Sequence, residues 1–316
     1  MVRSAARRTI AAAVDIGAYS VHLLVAEVGA HDLRTIHDES AFLGLGAKLG
    51  AGGRLGVARE TLRETLAGFV AHAATLGAET VTIVGTDPLR RASDRDYAIE
   101  EIRSALGIDV VVLSKEQEAM LAVIGGHGGR PVPEKQIVID VGGGSTEIVL
   151  ARPGTAWSAV GLPLGAARLT TIHVTHDPPT ADEMARLRGD VVEAMRRAPD
   201  DTASRLVAVG GTARSLLRVG RPPTNRILSA RRIRKVLDVL VDSPSAEVAE
   251  RYGIRLSRAR VLPAGATILS VALERYRLDR LSVAVGGLRE GTILVAHRAG
   301  PGWLEHLPRL ARGWSG

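Results

Sequence analysis

Three glycine-bearing turns carry the residues of this chain whose types and spacing could do chemistry. The first runs Asp15-x-Gly17-x-x-Ser20, the second Asp140-x-Gly142-Gly143-Gly144-Ser145-Thr146, and the third Gly210-Gly211-Thr212. Each follows a strand-like apolar run. Glycines let backbone N–H groups converge on an anion with no Cβ in the way, and Ser or Thr hydroxyls add donors. One such turn is a weak signal. Three of them, two preceded by Asp, point to phosphate binding. Their spacing fits neither the GxGxxG of a dinucleotide site nor the P-loop GxxxxGK[ST]. An Asp just before a phosphate cradle suits Mg²⁺, which takes a few carboxylates, several waters and phosphate oxygens. Asp15, Asp140 and Glu147 are the candidate metal ligands, for Mg²⁺ or alternatively Mn²⁺. The competing reading makes the two Asp residues acceptors of turn N–H groups. An Asp interrupting an apolar strand is costly without a role, which favours the metal.

The elements that must position these turns repeat. Asp, Gly and Ser recur at offsets 0, 2 and 5 from Asp15 and again from Asp140, 125 residues later. Both copies sit between two strand-like runs, the pattern of a β-hairpin. Duplication predicts two domains with a common core, facing each other across a cleft. Between and after the echoes, apolar spacing predicts helices near 61–76, 97–106, 116–124, 181–197, 230–241, 263–273 and 290–297. Strands are predicted at 81–84, 110–113, 136–141, 147–152, 206–209 and 281–285. The mixture is α/β throughout. The run Gly125-Gly126-His127-Gly128-Gly129-Arg130-Pro131 is the best linker. Domains are accordingly expected at 1–128 and 129–316.

Composition bounds the rest. The chain has 316 residues, 46% hydrophobic and 24% charged, which is ordinary globular composition and excludes disorder. It has no cysteine, so thiolate nucleophiles and Cys-ligated zinc or iron–sulfur sites are out. Aromatics at 3% argue against stacking platforms for single-stranded nucleic acid, and nucleic acid is not an expected partner. No stretch reads as a membrane span. The basic start with Arg3, Arg7 and Arg8 resembles a signal n-region, but Asp15 cuts the apolar run after it, so a cytoplasmic protein is expected. Of 41 basic residues 37 are Arg, and the net charge is +7. Residues 1–130 hold 14 basic and 16 acidic side chains, residues 131–316 hold 27 and 18. A basic second lobe suits a polyanion; Arg-rich solvated helix faces would give the same count.

In chain order, Asp15-x-Gly17-x-x-Ser20, Gly85-Thr86-Asp87-Pro88-Leu89-Arg90, Glu116-Gln117-Glu118-Ala119, the stretch from Asp140 to Glu147, Gly210-Gly211-Thr212 and Gly286-Gly287-Leu288-Arg289-Glu290-Gly291 resemble the Ppx/GppA phosphatases. Leu162-Pro163-Leu164-Gly165-Ala166-Ala167-Arg168-Leu169 adds to the likeness. The resemblance implies two duplicated actin-like (ribonuclease H-like) domains of the actin/sugar-kinase/Hsp70 ATPase superfamily, without the HD-type domain of longer members. It implies Mg²⁺-dependent release of terminal phosphate from inorganic polyphosphate, with Glu118 as general base on the attacking water and Glu116 as its runner-up. It also implies that Arg90 holds a phosphate, alongside Gly17, Ser20, Gly142, Gly143, Gly144, Ser145, Thr146, Gly210, Gly211 and Thr212. Guanosine pentaphosphate is the alternative substrate, and a homodimer is expected of the family. Ala18 and Tyr19 depart from the family's first turn; Val285, before the final glycine block, and Arg260 each stand where the family has an Asp, and the family's His-Gly pair is missing near Arg226–Ser229. The departure at Ala18-Tyr19 motivates a rival reading, a non-catalytic binder of polyphosphate or alarmone. A kinase or ATPase of the same superfold would need an acceptor-site Asp and an adenosine pocket, and neither is identified. His31-Asp32, His37-Asp38 and His176-Asp177 lack the spaced helical partners of an HD-type metal site and read as surface or turn residues.

Overall fold

Asp15 and Asp140 each stand at the penultimate position of a strand that turns straight back on itself. The computed structural model describes residues 8–29, 32–49, 52–154, 158–222 and 226–312; Arg3, Arg7 and His31 lie outside them. The chain forms two units, 1–131 with 286–316, and 132–285.

In unit 1, β1 (Thr9–Ile16) pairs antiparallel with β2 (Ser20–Val28), and β2 with β3 (Leu33–Phe42). The short α1 (Leu45–Lys48) and the long α2 (Ala58–Thr75) lead to β4 (Thr80–Gly85), parallel to β1. Then come α3 (Asp87–Arg91), α4 (Arg95–Leu106), β5 (Val110–Val112) and α5 (Lys115–Gly126). The sheet order is β3-β2-β1-β4-β5. Alternation decides the faces. Val14 and Ile16 of β1, with Val21, Leu23 and Val25 of β2, pack against Leu62, Leu66, Phe69 and Ala73 of α2. Asp15 has the opposite parity and so lies on the other face.

Unit 2 repeats the plan with β6 (Gln136–Val141), β7 (Thr146–Ala151), β8 (Ser158–Leu162), α6 (Ala166–His173), α7 (Ala181–Met195), β9 (Arg205–Val209), α8 (Gly210–Gly220), β10 (Ile227–Ser229), α9 (Ala230–Asp242), α10 (Ser245–Tyr252), α11 (Leu256–Arg275) and β11 (Arg280–Val283). Its sheet order, β10-β11-β9-β6-β7-β8, contains the first sheet's order read in reverse. β6 and β7 are antiparallel as β1 and β2 are, and β6 runs parallel to β9 as β1 does to β4. The duplication expected from the echo is therefore present, in the actin-like form that the resemblance implies. α11 is long and apolar enough to span a membrane by composition, contrary to the expectation that no stretch is, yet 78% of its apolar window is buried in unit 2.

The domain limits differ from the expected 1–128 and 129–316. After β11 the chain returns to unit 1 with α12 (Leu288–Ala299) and α13 (Trp303–Arg312). The reason is close packing of α12 on α5. A Cβ at Gly125 would stand 1.9 Å from the Gly287 carbonyl oxygen, and one at Gly291 2.0 Å from that of Leu121. Gly125 and Gly126, read as linker, are the last residues of α5. The division also redraws the charge. Unit 1 holds 18 basic and 18 acidic residues, and unit 2 holds 23 and 16, so the whole +7 belongs to unit 2.

Candidate active site

In unit 1 the first glycine turn is a tight hairpin closed by the Gly17 N–H donating to the Ser20 carbonyl at 3.1 Å. Asp15 sits opposite His22 across the pair. The Ala18-Tyr19 departure is accommodated: the carbonyls of Ala18 and Tyr19 accept from Gly46 (2.8 Å) and Gly44 (2.9 Å). The Tyr19 ring packs edge-on against Phe42, with centroids 4.7 Å apart. Thr86, at the end of the neighbouring β4, ties that end to β1, its N–H and hydroxyl both donating to the Ile16 carbonyl at 3.2 and 3.0 Å.

The two Glu candidates separate clearly. Ser114 caps α5 in a capping box, accepting from Gln117 N–H while Gln117 accepts from Ser114 N–H. Glu116 is exposed, and hydrogen bonds from its own N–H and the Ser114 hydroxyl hold its carboxyl below the usual range. Glu118 is buried at 8% exposure in the first turn of the same helix. Its carboxylate receives a tight ion pair from Arg90, whose Nη1 also donates to the Leu113 carbonyl at 2.8 Å. Arg90, expected to hold phosphate, is thus bound to the proposed base.

Unit 2 carries the second turn, closed by Gly142 N–H to the Ser145 carbonyl at 2.9 Å, the same bond as in unit 1. Asp140 and Glu147 are register partners across β6 and β7, so the two carboxylates share one face. Gly210 brings its backbone against Asp140: a Cβ there would lie 2.4 Å from Asp140 Oδ1, and its φ of +81° suits glycine. Hard oxygen donors so arranged fit Mg²⁺ better than a softer ion.

Gly210-Gly211-Thr212, expected to be a turn after a strand, is the first turn of the helix α8. Helix N-termini present N–H groups with no intrahelical partner, which suits an anion. Two expected hydroxyl donors do structural work instead. Thr212 is 1% exposed and donates to the Val141 carbonyl at 2.7 Å, and Thr146, fully buried, donates to that of Leu164. Their side chains do not serve phosphate; Ser20 and Ser145, both buried, remain at the turns.

Sequence reasoning missed three placements. The Arg258 guanidinium lies beside Gly211, 3.2 Å from where a Cβ would stand, and only its place in the basic second lobe hinted at it. Arg289 is 6% exposed, donating to both Asp38 oxygens (2.6 and 3.3 Å) and to the Leu23 carbonyl (3.0 Å). Burial works to lower its pKa, and Asp38 outweighs that to raise it. Asp38 is exposed, as expected of a surface residue, but it lies in a strand and pairs with the buried Arg289, and His37 lies on the opposite face. In unit 2, Asp177 accepts from Ser245 N–H at 2.8 Å. His176 contacts Glu183, whose carboxyl is held far below its ordinary value first by that contact and then by the Thr175 and Thr180 N–H groups.

The chain is similar to known proteins over most of its length. The Ppx/GppA phosphatase family matches residues 24–298. Exopolyphosphatase 2 of Mycobacterium tuberculosis is 29% identical over 319 residues, covering 90% of this chain and 98% of the relative. A guanosine-5'-triphosphate,3'-diphosphate pyrophosphatase of Vibrio atlanticus is 26% identical over 291 residues, covering 89% of this chain and 58% of the relative. The crystal structure of the Aquifex aeolicus Ppx/GppA family member is 28% identical with a TM-score of 0.77, over 93% of this chain and 99% of that one. The family match and these relatives make the chain a hydrolase of phosphoanhydrides. The chain belongs to the Ppx/GppA phosphatase family.

Proposed function

We propose that the chain releases terminal phosphate from inorganic polyphosphate, with Glu118 as general base. The observation that carries this reading is the placement of Glu118, a buried carboxylate at a helix start that is ion-paired to Arg90, while Glu116 two residues earlier is exposed. Phosphoryl transfer needs little covalent chemistry from a protein; positioning and electrostatics do most of it. Glu118 accepts the proton of the attacking water. Arg90 holds the carboxylate in one orientation through its second bond to Leu113. The glycine-turn amides and the α8 N-terminus receive the negative phosphate oxygens. Asp140 and Glu147 would hold Mg²⁺, which when bound neutralises charge on the transferring phosphoryl group. Asp15 occupies the equivalent hairpin position in unit 1.

The intact Ala18-Tyr19 turn weakens the rival reading of a non-catalytic binder. Hydrolysis of guanosine pentaphosphate is the second reading, favoured by the name of the Vibrio relative. The test is phosphate release from long-chain polyphosphate in Mg²⁺ by wild type and Glu118→Gln. A positioned base contributes about 10²–10⁴-fold, so kcat should fall by that factor with KM little changed. Equal release from both would remove the base assignment, and wild-type binding without release would favour the binder. The ratio of kcat/KM for the two substrates decides between them.

A further inference from the structure

We propose that His37, Glu39 and His72 form a binding site for a borderline divalent cation of the Zn²⁺ class, tying the edge strand β3 to α2. The three side chains each aim one ligand atom at the others, all within 4.8 Å. His37 Nε2 and His72 Nδ1 both lie 3.1 Å from the same oxygen, Glu39 Oε2. In a tetrahedral zinc site with bonds of about 2.0–2.1 Å, neighbouring ligand atoms stand about 3.3 Å apart. The observed spacing therefore needs small rotamer adjustments and no movement of the backbone.

The fold assembles this trio from distant sequence. His37 and Glu39 are two residues apart on β3 and share the face that meets α2. Asp38 between them turns the other way, to Arg289. The β2–β3 register slips between Val25 and Ala26, which pair with His37 and Thr35, leaving Ile36 as the extra residue of a bulge. A bulge re-aims the side chains that follow it, and here those are His37 and Glu39. His72 comes from the last turn of α2, three residues beyond the core residue Phe69. The two rings meet edge to face with centroids 4.5 Å apart. The hydrogen bond from His37, and with it that from His72, holds the Glu39 carboxyl below its usual range against the opposing effect of burial.

Two imidazoles and one carboxylate are a borderline donor set, unlike the all-oxygen pair Asp140 and Glu147. Side-chain exposures of 33%, 40% and 41% for His37, Glu39 and His72 leave a path for the ion. The site lies on the face of the unit 1 sheet away from Asp15 and Arg289, so within unit 1 it is separate from the hairpin carboxylate Asp15. An edge strand is also where a staple is useful, because β3 has one unpaired side and a largely exposed residue pattern.

The experiment titrates ZnCl₂ into the EDTA-treated full chain by calorimetry, with millimolar Mg²⁺ present to occupy oxygen sites. One Zn²⁺ per chain is expected, weakened more than about 100-fold in His72→Ala, since even outer-shell changes cost about 10–100-fold. At 100-fold excess over Kd, the wild type should melt about 5 °C or more higher, and the variant should show no shift. Co²⁺ should give a visible d–d spectrum with wild type and lose it in Glu39→Gln, which serves if His72→Ala fails to fold. Phosphate release in Mg²⁺ should be unchanged by either variant. Zn²⁺ binding of equal strength in wild type and variant, or no binding by wild type, overturns the site.

Discussion

Arg90 shows how a residue can be legible in kind while its partner is not. Its place in the Gly85–Arg90 run marked it for phosphate, but no spacing in the chain relates it to Glu118, 28 residues on. That pairing exists because β4 and β5 run parallel and deliver the starts of α3 and α5 to the same end of the sheet. The pair is nearly dry, with side-chain exposures of 18% and 9%. Removing one member of such a pair leaves a buried charge and costs about 3 kcal/mol, while removing both costs less. Arg90→Met should therefore lose about that much stability, and Arg90→Met with Glu118→Gln should recover part of it. A double-mutant cycle by urea unfolding is expected to give a coupling of about 1–3 kcal/mol. Additivity within about 0.5 kcal/mol would mean that the pair is not formed in solution. If Arg90 acts through Glu118, its effect on kcat should also largely vanish in the Glu118→Gln background.

Among elements, those with clean periodicity were legible and those defined by their neighbours were not. β4, β6, β9 and α2 fall where apolar spacing puts them. β3 was missed because an edge strand reading Leu-Arg-Thr-Ile-His-Asp-Glu-Ser has charged residues on both faces, and its partners Arg289 and His72 are far away in sequence. α8 was read as a turn because its first residues are glycines, and α11 was cut short because Pro263 lies inside it. α7 was expected, yet its anchoring was not. Glu183 closes its capping box with Thr180 and at the same time accepts from Thr175 and His176, stitching the 174–180 loop to the helix. These bonds lower the folded-state pKa of Glu183 below its ordinary 4.5. A depressed carboxylate stabilises fully above the unfolded value and loses that stabilisation as pH falls toward the folded one. The Tm gap between wild type and Glu183→Gln should be open at neutral pH and close below about pH 4.5. Parallel Tm curves between about pH 3 and pH 7 would show that the carboxylate does not hold the loop.

At the scale of the molecule, the charge excess belongs to one unit, with unit 1 neutral and unit 2 at +7, a milder contrast than the −2 and +9 of residues 1–130 and 131–316. Part of that excess serves the fold. Arg218 donates to the Gly253 carbonyl, Arg232 to those of Gly220 and Arg221, and Arg226 to those of Val283 and Ala284, satisfying chain ends that helices and strands leave open. Arg231, Arg234 and Lys235 on α9 do differ: they are exposed, opposite the buried stripe of Ile233, Val236 and Leu240. If unit 2 tracks a polyanion, charges of this second kind do the tracking. Each phosphate contact on a flexible strand contributes about 0.7 to the slope of log affinity against log salt. The triple change of Arg231, Arg234 and Lys235 to Gln should flatten the salt dependence of kcat/KM for long polyphosphate by about 2. It should leave kcat at saturation and the salt dependence for a three-phosphate substrate unchanged, because a short chain spans too few contacts. An unaltered slope would mean that the α9 charges only solvate their helix, and that the basic unit feels its substrate at the glycine turns alone.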